Sequence, residues 1–226
     1  MSNKKQLTFL ITAISLNFVN LCLEIVGLFL AARAYGWGLF QYYTQLSNMF
    51  ALLVSAGFVA YGICAIVFKS NIIPLWLKLL RFMATCCLSV TMIVVFAVLI
   101  PMIGEGGFRL MVLIDSTPYH HLLCPLLSII SFIFFEIKPE LKLKHTLIAL
   151  IPTIVYGIVM FVLNLVRAIV GPYPFLLVYN QPWFVTILWA LALFGGAYTI
   201  GWLLNFANIK FEKAINNVSA TTDENK

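Results

Sequence analysis

Thr44, Ser47 and Asn48 stand at helical spacing near the start of one long hydrophobic run, and His120 and His121 open another. Gln41, Thr44 and Asn48 share one helical face, with Ser47 beside them. Histidine is the usual general base, with an unperturbed pKa of roughly 6.5. Two adjacent helical histidines point about 100 degrees apart, so at most one of them faces a given nucleophile. A threonine within a helix commonly bonds back to the carbonyl four residues earlier, which is the bland expectation for Thr44. Asn48 is harder to set aside, because its amide needs several partners in a dry bundle. Asn164 and Arg167 share a face of a third run, where the arginine either snorkels to head groups or turns inward. Glu24 is the acid of the first run, and it must be protonated or paired with Arg33, Arg167 or a histidine.

The elements that position these groups follow from composition. Of the 226 residues, 62% are hydrophobic and 10% charged, and the mean hydropathy is +1.01, which excludes a water-soluble fold. A membrane-spanning helix needs roughly 20 apolar residues. Six such runs are legible: Leu7–Ala32, Phe40–Phe68, Trp76–Ile103, Pro118–Ile137, His145–Val170 and Trp183–Ile209. They are too long and too unalternating for barrel strands, so the expected fold is all-α, a polytopic bundle of six transmembrane helices. Residues 1–213 form one domain on this reading. The polar segment Ala214–Lys226 is expected to be a disordered cytoplasmic tail. The first run is longer than a signal-peptide core and lacks a clear cleavage site, so it is expected to be retained. Its Asn17, Asn20 and Glu24 fall on one face, which should turn into the bundle.

Orientation follows from the basic residues. Every lysine and Arg81 fall on one side of the six runs, against Arg33, Arg109 and Arg167 on the other. Both termini are therefore expected to be cytoplasmic. The polar cluster of Thr44, His120, His121, Asn164 and Arg167 then faces the outer side, capped by the Gly171–Pro182 loop. The net charge of +6 fits an inner collar beside anionic lipid and gives no reason to invoke nucleic acid. The five cysteines lie inside the runs with no metal or disulfide spacing. His145 lies on the opposite side from the other two histidines, so no metal site is expected, and no cofactor motif is present.

Three features in order resemble the androgen-induced six-span membrane proteins and their bacterial relatives. They are Tyr42-Tyr43-Thr44 with Ser47-Asn48, His121 four residues before Pro125, and Tyr173-Pro174-Phe175-Leu176 in the last outer loop. Studied animal members hydrolyse fatty acid esters of hydroxy fatty acids, using a threonine nucleophile with a histidine. The resemblance implies Thr44 and His121 in those roles, in a bacterial plasma membrane. His120 matches the spacing of the animal proteins, so either histidine remains open. The acid that the family places five or six residues after the proline is replaced by Ile130 and Ser131.

The resulting expectation is an intramembrane lipid esterase that meets membrane lipids and a lipid ester substrate at the outer leaflet. Thr44 attacks the ester and His121 or His120 moves its proton. Asn48, Asn164 or Tyr173 could supply an oxyanion donor, Arg167 or Arg33 could hold an acidic lipid end, and Glu24 leans toward the same group. Three competitors use the same residues. They are an ion-linked carrier through Glu24, His121 and Arg167, an acyltransferase with the same Thr/His pair, and a lipid-binding protein without activity.

Overall fold

A computed structural model describes residues 3–70, 73–136, 141–142 and 145–224. Among them every regular element is helical. The chain runs through α1 (Asn3–Tyr35), a 3₁₀ turn (Gly36–Gln41), α2 (Tyr43–Val67) and α3 (Leu75–Ile103). It continues through the short α4 (Gly107–Val112), α5 (Tyr119–Phe134), α6 (Thr146–Leu165) and α7 (Trp183–Glu224). Five of these are long and apolar enough to cross a membrane, namely α1, α2, α3, α6 and α7. The fourth expected run, Pro118–Ile137, gives the shorter α5, a five-residue π turn followed by eleven α-helical residues. The backbone of α7 runs to Glu224, into the segment read from sequence as a disordered tail.

The helices are inverted relative to those of a water-soluble protein. On α1, Asn17, Asn20 and Glu24 are each 1% exposed, while Phe18 and Ile25 are 54% exposed and Phe29 is 61% exposed. Polar groups inside and large apolar groups outside is the pattern a bundle takes in lipid. The face read from sequence as inward is the inward face.

α5 lies at the centre, packed against α1, α3 and α7. α2 closes the bundle between α1 and α3. The core on the α7 side stacks Phe82 on Phe132, with ring centroids 5.3 Å apart. The first turn of α6 packs against α3 and α7, whereas the rest of that helix touches them sparsely. α6 is therefore fastened at one end and stands off at the other.

Two prolines shape the helices that carry polar groups. Pro101 and Pro125 lack the N–H for an i→i−4 bond, and their rings would crowd the carbonyls of Ala97 and His121. Both helices answer with a π turn just ahead, at Val95–Leu99 and Tyr119–Leu123. The Ile100 N–H then donates to the Val95 carbonyl and the Cys124 N–H to the Tyr119 carbonyl. The second of these turns carries both histidines.

Candidate functional site

Thr44 sits in the first turn of α2, where backbone N–H groups have no intrahelical partner. The hydroxyl of Tyr173, from the loop between α6 and α7, accepts the Thr44 N–H at 3.3 Å and lies 3.4 Å from Thr44 Oγ1. The expected back-bond of Thr44 to its own helix is replaced by this contact, because the residue four back, Phe40, lies in the preceding 3₁₀ turn. Ser47 Oγ and Asn48 Nδ2 both donate to the Thr44 carbonyl, at 2.9 and 2.7 Å. Ser47 also pairs with Thr91 on α3 at 3.0 Å. The Tyr173 ring stacks on Phe175 with centroids 5.1 Å apart and meets Tyr42 edge-on. Burial pushes the Tyr173 phenol above its ordinary pKa, and its bonds with Thr44 oppose that only in part. It is therefore a neutral hydroxyl with a proton to donate.

Thr44 and Tyr173 line a cavity of about 580 Å³ between α2, α3, α6, α7 and the α6–α7 loop. Its remaining wall is largely apolar, including Val94, Leu99, Phe161, Phe175, Trp189 and Phe194. Its other hydroxyls are engaged too, Tyr43 with Thr153 at 2.7 Å, Tyr156 with the Gln41 carbonyl at 2.7 Å, Thr91 with Ser47 and Thr186 with the Gln181 amide. Ile158, Leu165, Trp183 and Ile187 line the cavity and are also exposed on α6 and α7, so it opens sideways. The stand-off of α6 makes this room.

The two histidines point to different neighbours. His121 Nδ1 lies 2.5 Å from the carbonyl of Met111 in α4. A carbonyl only accepts, so Nδ1 carries the hydrogen and Nε2 keeps the basic lone pair. His120 faces α1 instead, with Nε2 3.7 Å from Glu24 Oε2. A Cβ on Gly27 would overlap the His120 imidazole. The Asn48 amide, besides holding the Thr44 carbonyl, donates to the His120 carbonyl at 3.4 Å and so ties α2 to α5. No hydrogen bond joins Thr44 to either histidine.

The other sequence candidates fall elsewhere. Asn164 holds the α6–α7 loop, donating to the Ile169 carbonyl and accepting the Val178 N–H, both at 3.1 Å. Arg167 follows α6 in a left-handed conformation, φ 59°, where a helix usually ends on glycine. Its guanidinium lies 4.5 Å from the Tyr179 ring, beside a second cavity of about 360 Å³. It is thus separate from Glu24, which faces His120 and does not line the large cavity.

Two charged residues have places that the sequence reading missed. Arg81, read as an inner-side loop cation, is fully buried and donates to Glu136 Oε1 at 2.8 Å. Its partner Glu136 is likewise buried in the bundle. The stepping of Arg81, Thr85 and Ser89 by four along α3 was the legible signal, a polar stripe on one face. His145 accepts the Lys142 N–H at 3.0 Å, a local bond near the start of α6. Among the described residues no cluster of His, Cys, Asp and Glu is arranged to hold a metal. No protein-family model, no curated protein and no solved structure matches the chain.

Proposed function

We propose that the chain is a six-span membrane protein, both termini cytoplasmic, that hydrolyses fatty-acyl esters near the outer leaflet with Thr44 as nucleophile. One observation carries this reading. The Thr44 hydroxyl lines a sideways-opening, largely apolar cavity, with a neutral phenol against it. A largely apolar pocket with a few convergent polar groups is what an acyl ester needs. The resemblance to the androgen-induced six-span hydrolases supports the same roles, and α5 supplies the remaining crossing despite its length.

Thr44 Oγ1 attacks the ester carbonyl while His121 Nε2 takes the hydroxyl proton, forming a tetrahedral oxyanion. The Tyr173 hydroxyl donates to that oxyanion, a contribution of roughly 3 kcal/mol in comparable sites. His121 then protonates the leaving alcohol, and water repeats the sequence on the acyl-threonine. The Met111 carbonyl fixes the His121 tautomer, which is the work of the acid missing after Pro125. In the resting structure Thr44 bonds Tyr173 rather than His121, so substrate binding must bring the pair together.

A fluorophosphonate probe should mark Thr44 in the purified protein, with the adduct located by mass spectrometry. Thr44→Ala should abolish both labelling and ester cleavage while eluting like the parent in detergent. Ester cleavage by Thr44→Ala at the parental rate would end this assignment.

A further inference from the structure

A second set of polar groups lies apart from the cavity, between α1, α3 and α5. His120 and Glu24 face one another, and Asn20 sits one turn before Glu24 on the same face of α1. Asn17, a further turn back, donates to Ser131 Oγ at 3.0 Å and to Glu136 Oε1 at 3.2 Å. Glu136 pairs with Arg81, whose guanidinium also reaches Ser55 and Ser128 at 3.5 and 3.4 Å. From Glu24, which faces His120, to Asn17, which bonds Glu136, is about 10 Å along α1 at about 1.5 Å per residue. That is about a third of a hydrocarbon core roughly 30 Å thick. His120, Glu24, Asn20, Asn17 and Arg81 are all at most 1% exposed.

The inner half of this column is well bonded and the outer half is not. Both carboxylate oxygens of Glu24, both ring nitrogens of His120, both amide atoms of Asn20 and Asn17 Oδ1 are buried without a hydrogen-bond partner. Each such atom costs about 1–3 kcal/mol if it stays dry. A stretch this rich in unpaired donors and acceptors is where buried water belongs. Charged groups facing Glu24 are few. α5 brings His120 and the Cys124 thiol, and α3 brings Arg81 at longer range. The buried polar residues of α2 are the neutral Thr44, Gln45, Ser47, Asn48 and Ser55.

We propose that this column is a proton pathway: Glu24 and His120 hold a shared proton, and water ordered by Asn20 and Asn17 links them to Glu136 and Arg81. A hydronium at the outer end gives its proton to the pair, and the pair releases one to the next water toward Asn20. O–H and N–H bonds are the only ones made or broken, and one positive charge moves with each proton. Arg81 is neutralised by Glu136, so the inner pair does not present a net positive barrier. The pathway uses no residue of the Thr44 cavity, and its test needs no ester.

The full-length protein would be reconstituted into phosphatidylcholine–phosphatidylglycerol vesicles loaded with a pH-sensitive dye. A potassium diffusion potential set with valinomycin then drives proton entry. Wild-type vesicles should acidify faster than protein-free ones. Glu24→Gln should fall to the protein-free rate, and Glu24→Asp should retain flux. Asn20→Leu keeps the titratable pair but interrupts the water, and it should also lose flux; it decides the matter if Glu24→Gln does not fold. Wild-type flux equal to that of protein-free vesicles overturns the proposal. So does a folded Glu24→Gln or Asn20→Leu protein that conducts at the wild-type rate.

Discussion

The two polar regions of this bundle solve opposite problems. The cavity between α3, α6 and α7 is roomy and largely apolar, and its hydroxyls bond one another or neutral amide and carbonyl groups. The column between α1, α3 and α5 is buried and carries the ionisable residues Glu24, Arg81 and Glu136. The first has space for a large molecule and no ionised side chain in its wall; the second gathers ionisable groups. The proposed function places the acyl ester where polarity lies beside empty apolar volume, not where polarity stands alone.

The comparison breaks most visibly at the column's inner pair. Arg81→Met should lower stability by about 3–5 kcal/mol, because Glu136 would keep its charge without its cation. Thermal unfolding in detergent, followed by tryptophan fluorescence, reads this. Replacing both partners, Arg81→Met with Glu136→Leu, should recover most of the loss while leaving proton flux abolished, which separates a pathway from a mere brace. Tyr173→Phe sharpens the other side. It should reduce kcat for ester cleavage by about 10²-fold or more through loss of one oxyanion donor, with little change in thermal stability. Gly27→Ala should be the mildest. Its methyl would press on the His120 imidazole, costing about 1–3 kcal/mol. Proton flux should fall with it, whereas fluorophosphonate labelling of Thr44 should persist.

Much of this arrangement was legible in the sequence, for physical reasons. Length and unbroken hydrophobicity fix helices where backbone groups must bond within the segment. The step from Asn17 through Asn20 to Glu24 marked the inward face of α1, and the structure buries that face. Helical spacing also put Thr44 with Asn48, and Asn48 does grip the Thr44 carbonyl. Partners on different helices were not legible. Arg81 and Glu136 are 55 residues apart, and a count of basic residues treats an arginine near a helix end as solvated. Which way each histidine turns depends on the π turn ahead of Pro125, a local widening that a uniform helical wheel does not contain. The cavity depends on α6 standing away from its neighbours, which no helical pattern within one run encodes.

The sideways mouth of that cavity has a consequence for how any occupant would be counted. A molecule entering between α6 and α7 arrives from within the sheet of lipids, past Ile158 and Ile187, without passing through water. Its encounter rate then scales with its mole fraction among neighbouring lipids, not with its molarity in the tube. Adding inert phospholipid at constant total ester should slow turnover by dilution in two dimensions, and adding buffer should leave it unchanged.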